Sequence, residues 1–233
     1  MTTLTASIHR FNIYQSVHKG LRAFMSDTLT RVGATDERDA DECQDTGRQV
    51  RALLALCASH LEHENRFIHT AMERRSPGSA GQCANEHVQH LDHIARLQAS
   101  VTAAQEASGT ERAGAWQWLY QQLSLFVAEN FEHMLLEERE HNAVLWSHYS
   151  DAEIHEIHEA LVSSVPADEM ALNFRWMIPQ LTHSERLAML SGMRQGMPEH
   201  VFGAQMGVAR GLLSDRAWRK LASALPVGEV CHG

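Results

Sequence analysis

"SHLEHENRFIH", residues 59–69, places three histidines and two glutamates within eleven residues. Apolar residues continue on both sides of it at helical spacing, with Val50, Leu53, Leu54 and Cys57 before it and Phe67, Ile68 and Ala71 after it. On that register His60 and Glu64 interrupt an apolar seam rather than a polar face. An exposed charged face would not put them there, whereas a metal site inside a helical bundle would.

The same step recurs further on. Leu119, Leu123, Phe126, Asn130, His133, Glu137 and Val144 follow one another in helical steps of three, four and seven. His133 and Glu137 sit in that seam as His60 and Glu64 sit in theirs. Four residues advance a helix by about 400°, so each pair projects from nearly one face. A buried carboxylate is costly unless it is paired or binds a metal, and two in one core would repel. A pair of cations resolves that conflict. Single histidines on two other predicted helices, His18 beside Leu21 and Met25 and His87 beside Leu91 and Ile94, complete a set of four imidazoles and two carboxylates. Such mixed ligation suits iron, with zinc or manganese as substitutes. One histidine on an apolar face is more often a core residue bonded to a neighbour. Two His-x-x-x-Glu pairs with two further seam histidines, on four separate helices, favour a metal.

The surrounding pattern is helical. Stripes predict helices over about 14–32, 37–74, 83–107 and 111–149. Gly33 ends the first, and Thr35 or Asp36 is the candidate cap for the second. "SPGSAGQ" (76–82) and "SGT" (108–110) are turns by composition. Four long helices with short connections predict an all-α fold, an antiparallel up-down four-helix bundle over residues 10–149. Residues 150–233 mix tryptophan, methionine and proline. Pro166, Pro179 and Pro198 divide them into short helices, read as a C-terminal extension packed on the bundle.

Composition narrows the function classes. The chain has 233 residues, a formal charge of −9 and 44% hydrophobic residues. It is long enough for one sizeable core, and its charge gives no reason to bind nucleic acid or an anionic membrane. No run approaches ~18 apolar residues, so no membrane span is expected, and the N-terminus lacks a secretory pattern. Cys43, Cys57, Cys83 and Cys231 are scattered without a CxxC pair, which suits free thiols in a reducing cytoplasm. Sixteen histidines are the outlier that a metal site would explain. Gly-rich phosphate loops, GxSxG and HExxH are absent, so serine and nucleotide chemistry find no support.

The remaining histidines read as lesser candidates. His90, one turn from His87, is a ligand or, more simply, a structural residue. His63 and His69 fall lateral to the seam, and His141 is placed to line an access path. "EIHEIHEA" (153–160) reads as a solvated helix face. Glu138 and His141 form one Glu-x-x-His step, and ferritin-like bundles need two.

Taken together, "SVHKGLRAFM" around His18, "SHLEHENRFIH" around His60 and Glu64, "NEHVQHLDHI" around His87 and "NFEHMLLEERE" around His133 and Glu137 resemble the hemerythrin and HHE cation-binding family. The resemblance covers roughly residues 10–149 and implies a hemerythrin-type bundle around a non-haem di-iron centre. "RWMIPQLTHSERLAML" is similar to a tail found in some bacterial HHE proteins. Oxygen carriers of the family draw two histidines from one helix, four apart; here Leu91 stands at that distance from His87. The set is closer to members with four histidines and two glutamates, such as di-iron repair proteins and the iron-sensing domain of an F-box protein. That sensor has a glutamate directly after its helix-two histidine, where this chain has Leu61. The resemblance therefore implies a centre that senses or acts on oxygen, peroxide or nitric oxide. The alternatives are a metal-responsive regulatory protein, with a protein partner at its C-terminal helices, and an iron or oxygen store without turnover.

Overall fold

The computed structural model describes residues 10–225, and every regular element among them is helical. The chain groups into two compact units. Among the described residues, the first comprises 10–15 together with Phe24–Pro166, and the second Ser16–Ala23 together with 167–225.

Helix α1 spans Gln15–Ala34. It outruns the predicted stop at Gly33 by one residue, and Thr35 closes it by donating its hydroxyl to the Arg31 carbonyl at 2.8 Å. The next cap is neither Thr35 nor Asp36. Asp39 adopts the extended conformation and accepts from the backbone N–H groups of Asp41 and Glu42, opening α2 (Ala40–His63). This satisfies two of the donors that a helix start leaves without partners.

The second predicted helix is continuous but not uniform. A π-helical turn over Glu64–His69 joins α2 to α3 (Thr70–Arg75). After a turn that uses Gly78 at positive φ, α4 runs over Gly81–Glu106. Gly109, also at positive φ, reverses the chain into α5 (Glu111–Leu136). A second π turn, Glu137–His141, leads into α6 (Asn142–His148), and α7 follows over Asp151–Ser164. Helix α4 packs along α5 and against α2, and α7 packs on the first π turn.

The apolar stripes explain that packing. Val50, Leu53 and Leu54 from α2, Leu97 and Val101 from α4, and Leu119, Leu123 and Phe126 from α5 are all completely buried. A second cluster gathers Ile13, Tyr14, Ile68, Met72, Leu145 and Ile154 at the level of the π turns. His155 stacks on Phe11 with ring centroids 3.9 Å apart and His158 meets the same ring edge-on at 5.4 Å, so the "EIHEIHEA" stretch packs on its neighbour through both histidines and the buried Ile154.

In the second unit α8 (Ala167–Met177), α9 (His183–Gly196), α10 (Glu199–Leu212) and α11 (Asp215–Ala224) surround Phe174, Ile178, Leu190, Phe202, Met206 and Leu221. Pro166 and Pro198 precede helices as predicted, whereas Pro179 follows α8 and lies in the turn before α9. Lys19 pairs with Glu185 at 2.7 Å. A Cβ on Gly20 would meet the Met177 Cγ at 2.7 Å, so glycine permits that close approach.

An ion-pair clamp fixes α7 in the first unit. Arg75 donates to the His148 carbonyl and to Glu153, each at 2.6 Å, and lies over the Tyr149 ring. Glu153 also completes the capping box with Ser150. Hydrogen bonds from Arg75 and then Ser150 lower the Glu153 carboxyl to about 2 from its ordinary 4.5. The ionised form is thus favoured by folding, so this contribution is present above pH 4.5 and lost as pH falls through about 2. Glu153→Gln should lower the urea midpoint at pH 7, and the gap to wild type should narrow as the pH drops from 4.5 toward 2. An unchanged gap would contradict this role of the clamp.

Candidate metal centre

Glu64 and Glu137 each open one of the two π turns and are 1% and 0% exposed. Both carboxylates face imidazoles. His60 Nε2 lies 3.1 Å from Glu64 Oε1, and His133 Nε2 lies 3.3 Å from Glu137 Oε1, which are the two predicted i, i+4 pairs. His87 stands between them, its Nε2 being 3.6 Å from Glu64 and 3.5 Å from Glu137. The Nε2 atoms of His87 and His133 are 3.0 Å apart. One ligand atom from each of Glu64, His87, His133 and Glu137 lies within 4.8 Å of the others, and all four residues are buried.

The far nitrogens are tied back. His87 Nδ1 donates to Asn65 Oδ1 at 2.9 Å, and His133 Nδ1 donates to Glu86 Oε2 at 2.7 Å. Engaging Nδ1 from outside selects the tautomer whose Nε2 lone pair points inward, as metal-binding histidines require. For His133, burial alone would lower the imidazole, but bonds from Glu137 and Glu86 outweigh it and raise it to about 9. Burial and Glu64 push Glu137 up, whereas bonds from His133 and His87 prevail and hold it low, at about 2. The carboxylate is therefore charged, and either an imidazole proton or a cation balances it.

The predicted site residues fall into place unequally. His60, Glu64, His87, His133 and Glu137 converge in the first unit, His60 being the most exposed, with its side chain at 15%. His18 is completely buried on α1, within the Ser16–Ala23 stretch that groups with the second unit. His63 turns back onto the Ser59 carbonyl at 2.7 Å. His90 is buried with its ring 4.8 Å from that of His133, but it is not among the four converging ligands. Leu91 is exposed.

Two histidines read as peripheral are central. His69 is buried, stacked on His87 at 4.9 Å and edge-on to His141 at 5.1 Å. His141 is buried too, with its Nδ1 2.9 Å from the Tyr14 hydroxyl. His141 follows Glu137 by four residues and shares its face in an ordinary helix; for His69 the reason is the backbone. Five residues along a regular α-helix turn a side chain about 140° from the face of Glu64. A π turn takes more residues per revolution, which brings position 69 back to the Glu64 face. The signal was present as a longer echo, His60-x3-Glu64-x4-His69 and His133-x3-Glu137-x3-His141. Burial, and then His87 and His141, depress His69 to about 4, leaving it neutral at pH 7. Burial, reinforced by Glu137 and Glu64, pushes the Tyr14 phenol well up, so it stays protonated.

The family model described as the Hemerythrin HHE cation binding domain matches residues 10–144. The chain belongs to the hemerythrin HHE family. No curated protein and no solved structure matches it. The HHE domain binds metal cations, and the buried imidazole–carboxylate cluster fits such an ion chemically. Two adjoining carboxylates and converging Nε2 atoms form a nitrogen and oxygen donor set for a borderline divalent cation.

Removing one carboxylate of this HHE cluster should weaken metal binding, because it takes away a negatively charged donor that would offset the charge of a cation. Glu64→Ala and Glu137→Ala should lose most of the bound metal by elemental analysis, while His63→Ala and His155→Ala retain it. Metal retained in both glutamate variants and lost in His63→Ala would reassign the ligand face of α2.

Proposed function

We propose that this protein holds two iron ions in an antiparallel four-helix bundle and uses them to sense or act on a small oxidant, namely oxygen, peroxide or nitric oxide. The observation that carries this reading is the pair of fully buried carboxylates, Glu64 and Glu137, facing the Nε2 atoms of His60, His87 and His133. His18 is the sixth donor of the proposed set, on the sequence pattern that puts it beside Leu21 and Met25 on the apolar face of its helix. Zinc or manganese are the substitutes that this donor set would also accept.

Bound iron would supply electrons and Lewis acidity that no side chain offers. The protein's own part is positional. Asn65 and Glu86 hold His87 and His133 in the ligating orientation. Leu97, Leu123 and Phe126 are completely buried and keep bulk water from the core of α4 and α5. A buried cluster lined by imidazoles suits a small neutral ligand better than a bulky or charged substrate.

A second reading is a metal-responsive regulator whose C-terminal helices meet a protein partner. A cytoplasmic setting is the compartment proposed for either role. Cys43, Cys57 and Cys83 are buried free thiols, Cys231 lies outside the described residues, and no helix among those residues is long and apolar enough to cross a membrane.

Stopped-flow absorbance of the anaerobically iron-loaded protein mixed with hydrogen peroxide, with oxygenated buffer or with a nitric oxide donor separates these readings. The oxidant reading expects a rapid change in the iron spectrum within the first turnover. Sustained peroxide loss marks an enzyme. A single stoichiometric change accompanied by altered protease resistance marks a sensor. A spectrum indifferent to all three oxidants would remove the oxidant reading and leave storage.

A further inference from the structure

We infer that His69 and His141 are metal ligands of this centre, forming with Glu137 an additional imidazole-rich coordination position, and that Tyr14 orients His141 for it. The inference rests on the metal-centre reading above and extends it to residues outside the four-histidine, two-glutamate set.

Four observations converge. One ligand atom from each of His69, Glu137 and His141 lies within 4.8 Å of the others, and all three residues are buried. They share Glu137 with the cluster of Glu64, His87 and His133, so the two groups adjoin through one carboxylate. Neither ring nitrogen of His69 has a hydrogen-bond partner, although the residue is only 5% exposed. Burying an imidazole in that state is unfavourable unless something else takes its lone pair. Finally, each residue closes one of the π turns that begin at Glu64 and Glu137, a local geometry that is rare and concentrated at functional sites.

The tautomer pattern supports the same assignment. His87 has its Nδ1 on Asn65, His133 on Glu86, and His141 on the Tyr14 hydroxyl at 2.9 Å. With the phenol accepting from Nδ1–H, His141 keeps its Nε2 lone pair for an ion, as the other two do. The Tyr14 hydroxyl thus has the positioning role that a carboxylate or carbonyl plays behind many ligating histidines. His90 and His93 offer no comparable set, since His93 pairs with Glu129 at 3.0 Å and neither joins a converging group of ligands.

A position built from two imidazoles and one carboxylate takes a divalent first-row cation. Neutral imidazoles add donors without adding negative charge. They therefore favour a divalent ion over a trivalent one at this side of the cluster.

The test is anaerobic titration with ferrous iron against a calibrated chelator, together with X-ray absorption to count imidazoles per iron. The variants are His69→Phe, which preserves the ring stack and volume, His141→Ala, Tyr14→Phe and, as the control, Glu64→Ala. The expected result is a loss of affinity of at least tenfold in His69→Phe and His141→Ala, with fewer imidazoles per iron, and a loss of about tenfold in Tyr14→Phe. Circular dichroism of His69→Phe should match wild type. Wild-type affinity and imidazole count in both His69→Phe and His141→Ala would overturn the inference. If that happened while Glu64→Ala lost its iron, the centre itself would stand. A wild-type chain that takes up no iron would overturn both.

Discussion

Two carboxylates buried side by side are the constraint on which this structure turns. Taking a charged carboxylate out of water costs several kcal/mol even after relaxation. Glu64 and Glu137 are both essentially inaccessible and close enough to share His87 as a neighbour. Apolar packing does not compensate for this, and the surrounding residues are accordingly imidazoles. His133 pairs with both Glu137 and Glu86, so an imidazole proton and a cation compete for the same negative charge. The arrangement makes the folded core depend on an ion or on protons, and the family to which the chain belongs is one of cation-binding domains.

Everything adjoining the cluster serves orientation. Asn65, Glu86 and Tyr14 come from three different segments of the chain, and each engages the outer nitrogen of one histidine. Leucines and Phe126 on α2, α4 and α5 bury those helices against each other and set the depth of the ligands. The π turns then fix rotation about the helix axis. Helix α7 packs on the first of them, and the Arg75–Glu153 clamp holds α7. A contact at the periphery thus supports the backbone that presents His69.

Much of this was legible in the sequence because α-helical periodicity is. The i, i+4 steps from His60 to Glu64 and from His133 to Glu137 required only the ordinary helix, and these pairs meet as the spacing implied. Helix boundaries came within a few residues, since Gly, Pro and Ser mark turns by restricting the backbone. What was not legible depended on departures from that period. His69 looked peripheral because its angle was projected through a regular helix, and a π turn is dictated by packing that no local composition announces. The cap of α2 fell on Asp39 because several nearby residues can cap, and composition alone does not choose among them. Tyr14 carried no signal by itself. Its partner His141 lies 127 positions away.

The central claim is that the two buried glutamates share metal ions. It is tested most directly by anomalous X-ray diffraction from crystals of the protein loaded anaerobically with ferrous iron, recorded on both sides of the iron absorption edge. The account predicts two strong anomalous peaks between Glu64 and Glu137, each within ligand distance of at least two imidazoles. Density for hydrogen-bonded histidines and carboxylates with no anomalous peak, in crystals soaked with excess iron, would contradict it.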